Sequence, residues 1–380
     1  MDFQNVKYLV VGSGFFGATI AERIATVLNE RVLVIEKRPH IGGNCYSETD
    51  PETGIEFHTY GTHIFHTSNQ LVWSYINRFT GFNSYRHQVL TTLDGKVYQL
   101  PINLETINSF YNVTLRPYEV DEFLQKEIQK EQISDIENFE QKAISQIGRK
   151  LYNAFIKGYS KKQWGVDPAN LSADIFSRIP FRKNYDESYY YSQWQGIPDK
   201  GYAAIFRNML NHPNIEVLLK TDFFSIKDEI PSSTKIIYSG PIDAYFNYRL
   251  GNLEWRTLNF EKEWLNIEDY QGTSVMNYAE ETIPYTRIHE PRHLHPERNY
   301  AKDKTLIIKE YSSADRGKNP FYPLNDQRNR NLVLQYRELA TQEKNLIFAG
   351  RLGDYRYYDM HETINRALTV FEENLKNGTN

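Results

Sequence analysis

The first 36 residues confine this chain more tightly than any other stretch. Tyr8–Val11 is a short unbroken apolar run, the pattern of a parallel strand buried on both faces. It leads into Gly12-Ser13-Gly14-Phe15-Phe16-Gly17, a G-x-G-x-x-G turn, and then into a helical repeat through Ala18, Ile20, Ala21, Ile24, Ala25 and Leu28. A second apolar strand, Val32–Ile35, ends on Glu36. These parts, in this order, read as a βαβ unit that binds a dinucleotide. Gly12 permits the tight turn, Gly14 lets backbone approach a pyrophosphate, and Gly17 lets the helix lie close to the strand. The helix amino end offers free N–H groups to the anion. Glu36, 24 residues beyond Gly12, is placed to accept hydrogen bonds from a ribose.

Two further segments bear on which dinucleotide. Ile41-Gly42-Gly43-Asn44 follows the acid, and its paired glycines permit another close backbone approach. It resembles the segment after the second strand in flavoproteins of the amine-oxidase type. Near the carboxyl end, Leu346–Ala349 reads as a strand, followed by the turn Gly350-Arg351-Leu352-Gly353 and a helix from about Thr363 to Leu375. Flavoproteins of this type complete their site with such an element, so FAD is favoured over NAD.

A length of 380 residues points to two or three domains. Forty-four basic against 48 acidic side chains, a net −4, argue against a nucleic-acid binder. No apolar run approaches the ~20 residues of a membrane span, and the amino terminus does not read as a secretory signal. With Cys45 the only cysteine, no internal disulfide forms, and a cytoplasmic location is expected. Aromatic residues make up 14%, including 28 Tyr, a supply of flat faces with hydroxyls suited to sugars and nucleobases.

Along the chain, Phe139, Ala143, Ile147, Leu151 and Phe155 recur every four residues, which predicts an amphipathic helix over 138–157 within a helical insertion, 103–180. Val89–Leu100 reads as a hairpin around Asp94-Gly95. Strands are expected at 215–219, 235–238, 274–278, 285–288 and 305–310. The fold class expected is mixed α/β: a discontinuous Rossmann-like FAD domain (1–85, 200–245 and 340–380), the helical insertion, and an antiparallel sheet domain (86–102, 181–199 and 246–339).

Candidate chemistry is sparse. His63 and His66, and the group His289, His293 and His295, lack the cysteines or helical histidine spacing of a zinc site, so no metal is expected and the second group reads as a solvated polar loop. Cys45 has no local support as a nucleophile and reads as a small buried side chain beside the cofactor loop. Three segments concentrate cations and rings: Lys157–Gly165, which breaks the helical pattern with glycines; Arg178–Tyr189; and Arg351–Asp359. Arginine forks match phosphate oxygens and tyrosine hydroxyls add uncharged donors, so these segments point to an anionic nucleotide-linked ligand.

The motifs IGGN, GTHIFH, LPINL, KGYSKKQWG, SGPIDA, VMNY, PYTR, PFYP and GRLGDYRYYDM, with the opening glycine turn, resemble the bacterial UDP-galactopyranose mutase family over nearly the whole chain. The resemblance implies a net non-redox isomerase. It contracts UDP-galactopyranose to UDP-galactofuranose for cell-surface polysaccharide precursors, through a covalent adduct between N5 of reduced FAD and the sugar. Relatives act on UDP-N-acetylgalactopyranose and dTDP-fucopyranose, and those remain alternatives. An FAD-dependent oxidoreductase of amine-oxidase type and a catalytically silent flavin or nucleotide binder are the readings from other classes.

Carried across by motif, the resemblance implies Arg178, Arg287 and His63 as catalytic. Phe155, Tyr159, Trp164, Tyr189, Asn277, Tyr322, Tyr357, Asp359 and His87 would meet the substrate. Gly12, Gly14, Phe15, Phe16, Gly17, Glu36, Lys37, Gly43, Asn44, His63, Arg351, Tyr357, Asp359 and Met360 would meet FAD. Arg178 would ride a mobile loop over the diphosphate, and Phe155 would stack on uracil. The resemblance also implies NAD(P)H or another electron donor and a homodimer. Ile156, His87, Thr62 and Lys183 depart from residues common in the family at their motif positions.

Overall fold

A computed structural model describes residues 3, 5–131, 133, 135–177, 179–315 and 319–376. Its amino-terminal strand Tyr8–Val11 lies in a five-stranded sheet, in the order 346–348, 235–238, 8–11, 32–35, 215–218, with every pairing parallel. Alternation along the first strand explains its unbroken apolar run. Tyr8 and Val10 join the core beneath the helix Phe15–Arg23, whereas Leu9 joins a second core with Leu33, Ile35, Phe223 and Tyr238 on the other side. Both faces of the strand are covered, so both parities must be apolar. The carboxyl-terminal helix Met360–Val370 packs beside the first helix through Ile364 and Ala367. It begins three residues before the expected Thr363, because Glu362 turns back to accept a bond from the Asp359 N–H at 2.8 Å and caps the first turn.

The second sheet has seven strands, ordered 322–323, 255–265, 305–314, 287–289, 275–278, 89–93, 96–100. All its pairings are antiparallel except that of Val275–Tyr278 with Val89–Leu93. Asp94 and Gly95 turn the hairpin with φ of 50° and 74°, the left-handed pair such a two-residue loop demands. The register aligns Thr91, Asn277, Arg287, Glu310 and Phe260 as successive cross-strand partners. Directly paired residues share a face, so this row is fixed by backbone hydrogen bonding.

A third core is helical. Leu104, Ile107, Val120, Leu124, Phe139, Ile144, Ile147 and Leu151 close on one another and on Tyr98 of the hairpin. Truncating a fully buried ring such as Phe139 to alanine would cost about 3–5 kcal/mol. The segment expected to break the helical pattern does not. Tyr152–Lys157 continues as a wider π-type turn and Gly158–Trp164 as α-helix. Gly158 is there for clearance: a Cβ would lie 2.3 Å from the carbonyl oxygen of Ala279. The glycine lets this helix lie against the turn that precedes Arg287.

Candidate active site

A cavity of about 520 Å³ runs from the carboxyl ends of the parallel strands to the face of the second sheet. Its walls at one end are Gly12, Gly14, Phe15, Phe16, Glu36, Lys37, Gly43 and Asn44. Here the chain thins to backbone. A Cβ on Gly43 would come within 3.1 Å of the Gly14 Cα, and one on Gly17 within 1.9 Å of the Gly12 carbonyl oxygen. The helix Phe15–Arg23 starts with no side-chain cap and no acid in its first turn, which leaves its amino end to an anion. Glu36 accepts from the Ser13 amide at 3.1 Å and hydroxyl at 2.8 Å, and from the Arg38 amide at 3.0 Å. Those bonds aim a carboxylate into the trough. This glycine cradle, bare helix end and terminal acid fit a dinucleotide.

At the other end stand His63, Arg287, Glu310, Tyr322, Arg351, Tyr357, Asp359 and Met360. The Arg287 guanidinium donates to the Tyr159 hydroxyl, and its Nε lies 3.3 Å from Oε1 of Glu310. Glu310 also accepts from Nε2 of His289 at 2.9 Å. An aromatic wall runs from Trp164, edge-on to Tyr322 at 6.4 Å between ring centroids, to Tyr357, stacked on Tyr322 at 5.6 Å. A second stack sets His66 on Tyr190, both on the cavity wall, at 3.7 Å, with His87 5.8 Å from Tyr190 and Tyr189 edge-on to both Tyr190 and His87.

Burial and charge set the ionisation. Burial would raise the Glu310 carboxyl, but Arg287 and His289 outweigh it and hold it at about 2. Burial likewise opposes the Arg287 cation, and Glu310 overcomes it, so the guanidinium stays charged. The imidazoles go the other way. Burial holds His63 and His66 near 4 and His87 near 3. These imidazoles are therefore neutral, and among the described residues at this end Arg287 and Arg351 supply the positive charge. Burial pushes the Cys45 thiol up to about 12, which leaves it no thiolate character.

Other residues drawn from the sequence stand away from the cavity wall. Tyr159 and Asn277 flank Arg287, one by hydrogen bond and the other as its strand partner. The Asn277 Oδ1 is buried without a hydrogen bond. Phe155 lies in the helical core, with Tyr98 at 5.1 Å and Phe110 at 5.2 Å. Arg178 lies outside the described residues. The solvated loop expected for His289, His293 and His295 is corrected: His289 ends a central strand and is 2% exposed, and His295 is 1% exposed. His289 meets Glu310 at 2.9 Å, and His295 lies between Glu297, 2.7 Å from its Nδ1, and Glu56, 3.5 Å from its Nε2. Sequence reasoning gave no role to Glu310 or Tyr190, and none to His66 beyond a rejected metal. The signals for Glu310 were its place at the end of the expected strand 305–310 and the family motif EYS that it opens, neither of which assigns it a role.

Comparison with known proteins places this geometry. Residues 154–357 match the family profile described as UDP-galactopyranose mutase, and residues 10–79 match an NAD(P)-binding Rossmann-like domain. An Escherichia coli dTDP-fucopyranose mutase is 40% identical over 98% of this chain and 99% of its own. A Klebsiella pneumoniae protein named probable UDP-galactopyranose mutase is 41% identical over 99% and 97%. A crystal structure of reduced UDP-galactopyranose mutase superposes with a TM-score of 0.75, covering 99% of this chain and 95% of that one. At 14% identity that likeness is one of fold.

Proposed function

The chain belongs to the UDP-galactopyranose mutase family, and on that premise we propose that it interconverts UDP-galactopyranose and UDP-galactofuranose with FAD as cofactor. The observation that carries the reading is the Arg287 guanidinium, anchored by Glu310 and Tyr159 where the dinucleotide trough meets the tyrosine wall. A diphosphate leaving group needs a fixed cation there, both to leave and to return.

FAD fits the trough. Gly12, Gly14, Gly17 and Gly43 supply the close backbone, Glu36 the ribose acceptor, and Phe15, Phe16, Lys37 and Asn44 the walls. His63, Arg351, Tyr357, Asp359 and Met360 take the ring end. When bound and reduced, the flavin supplies a nucleophilic ring nitrogen toward the anomeric carbon of the sugar. The residues of the chain do the rest. Arg287 binds the diphosphate and stabilises its charge as the glycosidic bond breaks, and Arg178 closes over the same group to exclude water. Tyr322 and Tyr357 offer hydroxyls without competing charge, Trp164 and Tyr159 line the nucleotide cleft, and Phe155, packed in the helical core against Tyr98 and Phe110, would have to turn outward to stack on the nucleobase. Tyr189, Asn277, Asp359 and His87 orient the sugar. His63, neutral at physiological pH, adds no charge beside Arg351 near the ring.

Three bodies divide the work in this reading, with the boundaries expected from the sequence, and the active form is a cytoplasmic homodimer whose flavin is reduced by NAD(P)H or another donor. Identities of 40% and 41% to a dTDP-fucopyranose mutase and a UDP-galactopyranose mutase give dTDP-fucopyranose nearly equal standing as substrate. The test is to reduce the purified flavoprotein with dithionite and chromatograph its products from UDP-galactofuranose, dTDP-fucofuranose and UDP-N-acetylgalactofuranose. Pyranose forming without net oxidation is expected. Stoichiometric oxidation of the sugar would move the chain to the oxidoreductases.

A further inference from the structure

A chain of polar contacts runs from the cavity wall to Arg287. Thr62 Oγ1 lies 2.8 Å from Nδ1 of His289, Nε2 of His289 lies 2.9 Å from Oε2 of Glu310, and Oε1 of Glu310 lies 3.3 Å from Nε of Arg287. One charge assigns every proton. Glu310 beside a guanidinium is ionised and can only accept. His289 must then carry its proton on Nε2, and the neutral ring leaves Nδ1 as an acceptor. Thr62 must donate. Burial, which holds His289 below its ordinary pKa, keeps the ring in this neutral state.

Backbone geometry explains why the chain closes. Thr62 follows Gly61, whose φ is +95° and whose added Cβ would lie 3.1 Å from the Phe260 ring and 3.7 Å from Oε2 of Glu310. That approach presses the Gly61–His63 loop onto the row of strand partners containing Arg287. His289 lies two residues beyond Arg287 on the same strand, so it shares the same face. Thr286 adds a weaker contact, 3.3 Å from Oε1 of Glu310. Without His289, nothing in this set would fix the second oxygen of the carboxylate.

We propose that Thr62 and His289 are positioning residues that lock the Glu310 carboxylate and thereby fix the direction in which Arg287 presents its charge to a diphosphate in the cavity. The inference rests on the reading of Arg287 as the diphosphate cation, and it couples the loop beside the cofactor trough to that cation through three contacts. Thr62 is the informative member. It lines the cavity edge, and valine reproduces its shape while removing the donor.

The experiment compares Thr62→Val, Thr62→Ser, His289→Phe and His289→Gln, each alone and on an Arg287→Ala background, in the flavin-loaded enzyme with UDP-galactofuranose. Thr62→Val and His289→Phe should each lower kcat about tenfold with flavin content and melting temperature kept, a scale set by losing a hydrogen bond linked to a charged group. Thr62→Ser should restore most of the rate and His289→Gln part of it. On the Arg287→Ala background neither residue should matter further, since the group they orient is gone. Wild-type kcat in Thr62→Val beside an inactive Arg287→Ala overturns the positioning role alone, as do losses that simply multiply. Wild-type turnover in Arg287→Ala overturns the reading of the arginine, and the positioning role with it. If His289→Phe fails to fold, the isosteric Thr62→Val decides.

Discussion

Arg287 and Glu310 face each other as partners on adjacent antiparallel strands, with Nε and Oε1 3.3 Å apart and the carboxylate almost wholly buried. A buried carboxylate left alone would take up a proton, and a buried guanidinium would be costly to hold; together each keeps the other ionised. The pair turns a flexible side chain into a fixed positive charge at the cavity wall. Arg287→Ala is expected to lose about 10²-fold or more in kcat while keeping its flavin absorbance. Glu310→Gln should fall between that variant and wild type, because the guanidinium stays but its orientation does not. Steady-state turnover of the reduced enzyme, beside its visible spectrum, checks both.

Glu36 holds the far end of the trough. Three donors from Ser13 and Arg38 already fix its carboxylate. Glu36→Gln removes the charge that these bonds orient, and cofactor retention should weaken about 10- to 100-fold, the range for hydrogen bonds to charged groups. Dialysis of the flavin-loaded protein against a dilution series, followed by absorbance, reads the change.

Gly17 is a packing requirement, with 1.9 Å between an added Cβ and the Gly12 oxygen. Gly17→Ala must push the first helix off the phosphate turn. The expected outcome is loss of both flavin binding and several degrees of melting temperature, measured by scanning fluorimetry with and without added cofactor.

Acid should unfold this protein through its histidines. Burial holds His58 and His87 near 3 and His63 and His66 near 4, against an ordinary value of 6.5. Between pH 6.5 and about 4 the unfolded chain therefore binds protons that the folded chain refuses, and stability falls as pH drops through that window. His87→Asn removes one such group. Relative to wild type it should gain stability on going from pH 7 to pH 4.5, read as a smaller shift in its urea midpoint. Parallel pH profiles for the two proteins would contradict the assignment.

Lys162 ties the turn before Arg287 to the helix bearing Tyr159. Its ammonium donates to the carbonyls of Tyr278 and Glu280 at 2.8 Å and of Ile283 and Tyr285 at 3.0 Å. Lys162→Met keeps the stem but leaves those carbonyls to water, at a cost of about 1–3 kcal/mol. Turnover should fall as well, because the turn leads directly into the strand that aims the arginine. Thermal denaturation and kcat of the same variant test the two effects.

The dinucleotide half of the molecule was legible in the sequence because its determinants are local. Glycines 12, 14 and 17, the two apolar strands and Glu36 fall within one short βαβ segment, and each residue type is demanded by backbone geometry. In the other half the hairpin, the long helix and several strands were legible from their patterns, but the roles of individual site residues came through motif resemblance alone. Arg287, Glu310 and Asn277 become neighbours only through strand register, and no spacing rule predicts which strands pair. Gly158 misled for a related reason: glycine marks both a broken helix and a close approach, and only the position of Ala279 distinguishes them. His289 looked like surface because the acid that holds it inside, Glu310, lies 21 residues further along the chain.

The order of strands in the parallel sheet has a consequence for how the protein is born. Its edge strand, residues 346–348, pairs with residues 236–238, which sit beside the strand that starts at Tyr8. A chain emerging from the ribosome cannot finish this sheet until residues 346–348 have been translated, or close the helix over it until Met360–Val370 follow. Until that segment arrives, the sheet beside the nascent glycine turn has an open edge at residues 236–238.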